Sequence, residues 1–165
     1  MPVRHSRAYP ARSQRRKLVW ASLDQNVVLA ANANTTLNML GQFQGIAGAS
    51  TLGITIIRTH LLIGAQGTAP IAGDTLRVGL QVCRLSDIGA ASILNAGDLE
   101  GDWMLLTRVP FVVGENEGAL NGLMTWDIKA KRKMEELDQA YGLCLTALNS
   151  GRTLQVWART LIALP

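Results

Sequence analysis

Aromatic residues, histidines and cysteines are all scarce in this chain of 165 residues. Aromatics account for 5% of the sequence and hydrophobic residues as a whole for 48%, so a core built from it must be mostly aliphatic. The histidines are His5 and His60 alone, and the two cysteines form no CxxC pair, so a zinc site of the usual ligand type cannot be assembled. We therefore expect no metal and no cofactor.

Long hydrophobic runs and catalytic motifs are also missing. No run approaches the roughly 20 apolar residues that span a bilayer, so we expect no membrane partner. Residues 18–23 are too short for the apolar stretch of a secretory signal, and Pro2 and Pro10 oppose the amphipathic helix of a mitochondrial transit peptide. The sequence contains no GxSxG, P-loop or strand-to-helix GxGxxG motif, so we expect a protein that is not an enzyme.

Acidic residues are absent from residues 1–17, although this segment carries six cations. Residues 18–165 hold ten basic and twelve acidic residues, so an arm of charge +6 precedes a single domain of charge −2. Arginine pairs with phosphate oxygens through its planar fork, and this pairing does not read base sequence. We predict that the arm binds single-stranded nucleic acid without sequence preference; the alternative is a solvated tail. The predicted contacts in the arm are Arg4, Arg7, Arg12, Arg15, Arg16 and Lys17.

Apolar and polar side chains alternate with period two through residues 18–165. Such alternation places one set of side chains on each face of a sheet, which indicates half-buried strands. Eight strands and few helices indicate an all-β sandwich or barrel. We predict strands at about 17–23, 34–40, 52–64, 75–85, 103–112, 122–132, 141–148 and 153–163. The expected interior residues are Leu76, Val78, Leu80, Trp126, Ile128, Val156 and Ala158.

Several local signals interrupt the strands. Ser86 or Asp87 can cap a short helix that stops near Gly97, and residues 134–139 form a second candidate turn of helix. Residues 149–151 read Asn-Ser-Gly, which is a tight hairpin signal. Pro110 cannot donate to a hydrogen-bond ladder, so the fifth strand is expected at a sheet edge or bulged.

A second basic run lies on the sixth strand. Lys129, Lys131 and Lys133 are expected to project from one face, opposite Trp126 and Ile128. The run is either a solvated strand face or a further nucleic-acid contact on the same side as the arm.

The remaining reactive side chains favour structural interpretations. His60 is expected on a strand face shared with Ile54, Ile56 and Leu62, as a structural or interface residue. Cys83 and Cys144 are expected as two small thiols within the sheets and not as a disulfide. Two acidic groups are interpreted as solvated loop charges, with calcium at a subunit boundary or a pair of glycosidase carboxylates as alternatives. These groups are Asp98, Glu100 and Asp102, then Glu115 and Glu117.

The short arginine-rich arm, the abrupt apolar start and the eight strands resemble the single-jelly-roll capsid proteins of small icosahedral viruses. Four stretches are also similar to segments of proteins assigned as capsid proteins in small environmental or phage-like genomes. They are RKLVW at 16–20, DWM at 102–104, WDIK at 126–129 and RKMEEL at 132–137. The resemblance implies an eight-stranded antiparallel jelly-roll sandwich with a basic N-terminal arm. It also implies that the arm faces the shell interior and that loops at strand ends form symmetry contacts.

The expected function is therefore that of a capsid protein, located in the virion, which forms an icosahedral homo-oligomer around its genome. Two alternatives belong to other classes. One is a phage head-decoration or tail-associated β-sandwich that binds a protein lattice, and the other is a trimeric ligand-binding β-sandwich. Particle formation and nuclease-protected nucleic acid would separate these possibilities.

Overall fold

The computed structural model describes residues 16–43, 52–66, 73–88, 103–110 and 121–165. These residues form eight β-strands and a short 3-10 helix, Leu85–Asp87. Seven of the eight strands lie close to their predicted positions. The first strand continues beyond its predicted end because it pairs along its whole length with the eighth. The strands are β1 Leu18–Leu29, β2 Asn34–Asn38, β3 Thr55–Gln66, β4 Thr75–Arg84, β5 Trp103–Pro110, β6 Asn121–Lys133, β7 Gln139–Leu148 and β8 Arg152–Ala163.

The eight strands form two antiparallel sheets of four. The first sheet has the order β1-β8-β3-β6 and the second has the order β2-β7-β4-β5. Among strands that follow one another in the sequence, only β4 and β5 pair within the described ranges, because the chain otherwise moves between sheets. This double Greek-key arrangement is a jelly roll, and it confirms the predicted fold class. Because β5 ends at Pro110 and lies at an edge of the second sheet, the expectation for that strand is also confirmed.

Residues 149–151 connect the two sheets and do not form the predicted hairpin. The strand before them, β7, pairs with β2 and β4, whereas β8 pairs with β1 and β3. Asn149 has a φ of 75°, in the left-handed region that asparagine tolerates. Its side chain donates to the carbonyl oxygen of Gly73 at 2.5 Å. The prediction was wrong because Asn-Ser-Gly specifies a sharp reversal without specifying the sheet in which the next strand pairs.

The predicted helical turn at residues 134–139 is also wrong. Gln139 is the first residue of β7, and its Oε1 accepts hydrogen bonds from the backbone N–H groups of Glu135 and Glu136 at 2.8 and 3.3 Å. Backbone hydrogen bonds from Met134 to Ile54 and from Leu85 to Asp138 fix the two ends of this turn. The other candidate helix begins with the 3-10 helix, and its continuation from residue 89 lies outside the described residues.

Aliphatic side chains fill the space between the two sheets. Six of the seven predicted interior residues are buried, and Trp126 is half-buried against the core. Each fully buried leucine or isoleucine contributes about 1.5–3 kcal/mol relative to exposure. The fully buried side chains include Leu61, Ile63, Leu76, Leu80, Leu143, Leu145 and Leu154.

Tyr141 is a fully buried aromatic residue in this aliphatic core. Its hydroxyl lies 2.8 Å from Thr59 Oγ1, which lies 3.2 Å from Thr160 Oγ1. A buried hydroxyl without such a partner would carry a desolvation cost, so the two threonines make this position possible. Burial also raises the pKa of Tyr141, which keeps its hydroxyl protonated.

A buried ion pair links the two sheets at one end of the sandwich. Asp74 precedes β4 of the second sheet, and Arg152 begins β8 of the first. Arg152 Nη2 donates to Asp74 Oδ2, and the two side chains are only 3% and 0% exposed. Ser150 Oγ donates to the same carboxylate oxygen at 2.6 Å. Because both charges are out of water, each depends on the other.

Gly79 makes room for an aromatic ring on the second sheet. A Cβ atom at Gly79 would lie 2.4 Å from Cζ3 of Trp103. We therefore expect Gly79→Ala to lower the free energy of unfolding by about 1–3 kcal/mol through overpacking. Chemical denaturation measures this loss. The double variant with Trp103→Leu should lose less than the sum of the two single variants, and strict additivity would contradict the proposed clash.

Candidate nucleic-acid interface

The solvent-facing side of the first sheet, called here the outer face, carries most of the predicted binding residues that the structure describes. Residues paired across antiparallel strands share a face. Leu18 pairs with Ala163, Ala163 with Thr55, and Thr55 with Lys133. This row therefore runs across all four strands, from the start of β1 to the end of β6.

The arm joins the domain at this row. Arg16 Nη1 donates to Thr55 Oγ1 at 3.0 Å, so the arginine crosses over the end of β8 on the outer face. The backbone N–H of Leu164 donates to the carbonyl oxygen of Lys17 at 2.9 Å, which fixes the chain just before β1. Both cations are exposed. The other four predicted arm contacts, Arg4, Arg7, Arg12 and Arg15, lie outside the described residues.

The three lysines of β6 are exposed on the outer face, as the alternating pattern predicts. Ile128 is buried and Ala130 is half-buried on the opposite side of the strand. The predicted register is therefore confirmed. Since Thr55 pairs with Lys133, the structure places the lysine strand and the start of the arm at the same end of one face.

Aromatic and cationic side chains form a cluster at the centre of the outer face. The rings of Trp20 and His60 are stacked, with centroids 5.8 Å apart and an interplanar angle of 27°. The guanidinium carbon of Arg159 lies 5.1 Å from the Trp20 ring centroid, within cation–π range. Trp20 stays 40% exposed, so much of its ring surface faces solvent.

The Asp127 carboxylate neutralises Arg58, a cation two residues from His60 on β3. Asp127 accepts hydrogen bonds from Arg58 Nε at 2.6 Å and Nη2 at 2.5 Å, and His60 Nδ1 lies 3.3 Å from the same carboxylate. The hydrogen bonds from Arg58 lower the pKa of Asp127, so the pair persists at neutral pH and weakens as pH falls through that lowered pKa. Both groups are exposed, so water screens the pair and it contributes little stability.

Beside the cluster lies a depression of about 260 Å³. Its walls come from adjacent positions in the register, since Trp157 pairs with Asp24 on one side and Leu62 on the other. The ring of His60 and the side chain of Arg159 line it as well. The full lining is Ser22, Leu23, Asp24, His60, Leu62, Trp157, Ala158 and Arg159.

The position of His60 corrects one prediction. The register of β3 shifts between Ile56 and Arg58, so an extra residue lies opposite a single step of β8. Ile54 and Ile56 are consequently buried, whereas His60 and Leu62 line the depression on the outer face. Strict alternation had placed all four on one face.

The charge of the outer face differs from that of the domain as a whole. On this face the described residues include six cations and two carboxylates, Asp24 and Asp127. The domain of residues 18–165 as a whole carries a net charge of −2. The six cations are Arg16, Arg58, Lys129, Lys131, Lys133 and Arg159.

The other candidate residues have varied outcomes. Cys83 and Cys144 are thiols and not a disulfide, as predicted, and Thr36 Oγ1 lies 3.7 Å from Cys144 Sγ. The acidic groups at 98–102 and 115–117 lie outside the described residues. Within the described part of the chain, no cluster of three or more metal-ligating side chains occurs. In the same part, no helix has the length and apolar character needed to cross a membrane.

The sequence alone did not identify the cluster of Trp20, His60 and Arg159. These residues lie on three different strands, and only the order β1-β8-β3 brings them together. The available signal was the alternation of β8, which places Trp157 and Arg159 on the polar side of that strand.

The described residues form a jelly roll whose first sheet carries cations and aromatic rings together on its outer face. A scan against protein-family models and a search of curated proteins found no match. Among solved structures, the chain is similar to infectious bursal disease virus, Gx strain, with a TM-score of 0.44 and 9% identity over 99% of this chain and 37% of that chain. The VP2 subviral particle of the same virus gives a TM-score of 0.40 and 10% identity over 99% and 37% of the two chains.

A third similar structure, Desmodium yellow mottle tymovirus, gives a TM-score of 0.39 and 12% identity over 100% of this chain and 90% of that chain. The chain thus spans little more than a third of the length of the first structures it matches. These structures are at most 12% identical to the chain, with TM-scores below 0.5, so their functions are not carried over to it.

Proposed function

We propose that this chain is a viral capsid protein that assembles into a closed icosahedral shell and binds a single-stranded genome. The observation that carries the proposal is the row from Leu18 to Lys133, which brings the start of the basic arm and the lysine strand to one face. Jelly rolls also serve as lectins and cupins, so the fold alone does not decide the function. The excess of cations over carboxylates on the described outer face favours a polyanion as its partner.

The proposed contact is electrostatic. Lysines and arginines that neutralise phosphates release condensed counterions, which makes binding strong at low salt and insensitive to base sequence. Six cations in the arm precede a domain of net charge −2, and the described residues of the outer face add an excess of cations beside the start of the arm.

Closed assembly multiplies this attraction. A shell of about sixty subunits in a closed point group would present on the order of 360 arm charges to its interior. Those charges would compensate several hundred phosphates, each carrying one negative charge. An arm that binds weakly as a single copy is therefore sufficient when many copies act on one genome.

Electron microscopy of the purified recombinant protein tests assembly, and nuclease treatment followed by extraction tests packaging. We expect closed particles of uniform diameter that contain nuclease-protected nucleic acid. Particles without nucleic acid would contradict genome binding. Absence of particles would contradict self-assembly and favour the decoration protein.

We expect the triple variant Lys129→Ala, Lys131→Ala, Lys133→Ala to bind oligonucleotides with a weaker salt dependence. Each phosphate contact contributes about −0.7 to the log–log slope for single strands, so three contacts would reduce its magnitude by about 2. Fluorescence anisotropy over a salt series measures the slope. The lysine side chains are exposed, so the fold should be unaffected.

The matched control removes three cations from the second sheet, through Arg77→Ala, Arg84→Ala and Arg108→Ala. This control has the same net charge as the lysine variant but leaves the outer face intact. An equal loss of slope in both variants would show that net charge matters and position does not, which contradicts a binding face.

A further inference from the structure

The depression beside His60 has the size and lining of a site for a small planar group. Its volume of about 260 Å³ is below the roughly 300–1,000 Å³ of pockets for drug-sized ligands. Trp157, His60 and Leu62 contribute to a surface that is almost entirely apolar, and two further lining residues, Asp24 and Arg159, carry charged groups. An unpaired nucleobase combines these properties, because it has two apolar faces and an edge of hydrogen-bonding groups.

We propose that this depression binds one unpaired nucleobase of the packaged strand by stacking, which rests on the proposed function and deepens it. Aromatic side chains on a sheet face are an established platform for bases, because every base has a π face. The neighbouring Trp20 and His60 rings are already stacked, and Arg159 lies over Trp20. The stacking surface therefore exists before the ligand arrives.

Charge on the two sides of the depression orients the nucleotide. Arg58 lies two residues from His60 along β3, about 6.6 Å, and it pairs with Lys129. Asp127 neutralises Arg58, so Lys129 is the cation that a phosphate attached to the bound nucleotide would meet on that side. Asp24 lies on the other side, where it repels phosphate and can accept a hydrogen bond from a base N–H group.

A second copy of this chain is a poorer occupant of the depression. Two outer faces brought together would oppose six cations with six more, and such juxtaposition is unfavourable. The same cations complement a polyanion. Charge complementarity therefore selects nucleic acid over self-contact at this face.

The test compares a short oligothymidylate with an abasic oligonucleotide of equal length, which carries the same phosphates without bases. We expect Trp157→Leu in the full-length chain to weaken oligothymidylate binding about 5- to 150-fold, the range for stacking of one base. It should leave abasic binding unchanged. Trp157→Phe, which keeps an aromatic ring, should retain most of the affinity for oligothymidylate. In the native protein, oligothymidylate should quench tryptophan fluorescence and the abasic oligonucleotide should not.

The matched control is Trp103→Leu, the same substitution on the second sheet, which should change neither affinity. If native protein binds both oligonucleotides equally and Trp157→Leu changes neither, base stacking is refuted while phosphate binding stands. If native protein binds neither, both this inference and genome binding fail. If Trp157→Leu abolishes particles without changing oligothymidylate affinity, the depression is a subunit contact and the inference is overturned.

Discussion

Deletion of residues 1–15 should leave a folded domain that packages little nucleic acid. The deletion removes four arginines and no residue of the eight described strands, and it keeps Arg16, which donates a hydrogen bond to Thr55 on the outer face. At about −0.7 per phosphate contact, the salt slope for single strands should fall in magnitude by about 3. The 260/280 nm absorbance ratio of purified particles should fall with it. Circular dichroism provides the check that the β-structure is retained.

A charge-preserving variant separates charge from length in this experiment. Replacing Arg4, Arg7, Arg12 and Arg15 with lysine keeps the arm and its charge, so the salt slope should stay close to that of the native protein. A truncated protein that packages as much nucleic acid as the full chain would contradict the arm as a genome contact. The lysines of β6 would then be the stronger candidates. A truncated protein that binds oligonucleotides normally but forms no particles would make the arm an assembly element.

The variant Asp74→Ala should lower the free energy of unfolding by about 3–5 kcal/mol, because it leaves a buried guanidinium without its carboxylate partner. Arg152 is 3% exposed and begins β8, so the unbalanced charge would lie where the two sheets meet. Urea denaturation followed by tryptophan fluorescence measures the loss.

The double variant Asp74→Leu, Arg152→Met is the control for this pair. Replacement of both charges by apolar side chains of similar size removes the desolvation cost together with the attraction, so most of the stability should return. Ser150→Ala removes the hydrogen bond to the Asp74 carboxylate and the 3.2 Å hydrogen bond from Arg152 Nη2 but keeps the ion pair, so it should cost less than Asp74→Ala, about 1–3 kcal/mol. A loss below about 1 kcal/mol for Asp74→Ala would mean that water reaches Arg152 in the folded protein.

The strands of this fold were predictable because the buried side chains that form the core occupy every second position along each strand. Leu76, Val78 and Leu80 illustrate this, since each was placed correctly by its polar neighbours alone. The connections were less predictable. The left-handed conformation of Asn149 is compatible with a hairpin and with a connection between two sheets. Only the long-range pairing of β7 and β8 decides which of the two connections forms.

The candidate site was predictable only where all its residues lie on one strand and follow its alternating pattern. The lysines of β6 belong to a single alternating run, so their common face followed from the sequence. The cluster around Trp20 and His60 depends on sheet order and on a bulge near Ile57, and neither can be read from local periodicity. A bulge moves every later residue of its strand to the opposite face of the sheet. For this reason the sequence pattern wrongly placed His60 on the same face as Ile54 and Ile56.

The pairing of β1 with β8 has a consequence for synthesis on the ribosome. In the described structure β1 has no hydrogen-bonded neighbour other than β8, and β8 also separates it from β3. The second sheet can pair as soon as β7 has emerged, whereas β1 waits for the last strand to be translated. The row from Leu18 to Lys133 therefore cannot form before β8 has been translated. A nucleic-acid site that depends on this row would be able to bind only after that point.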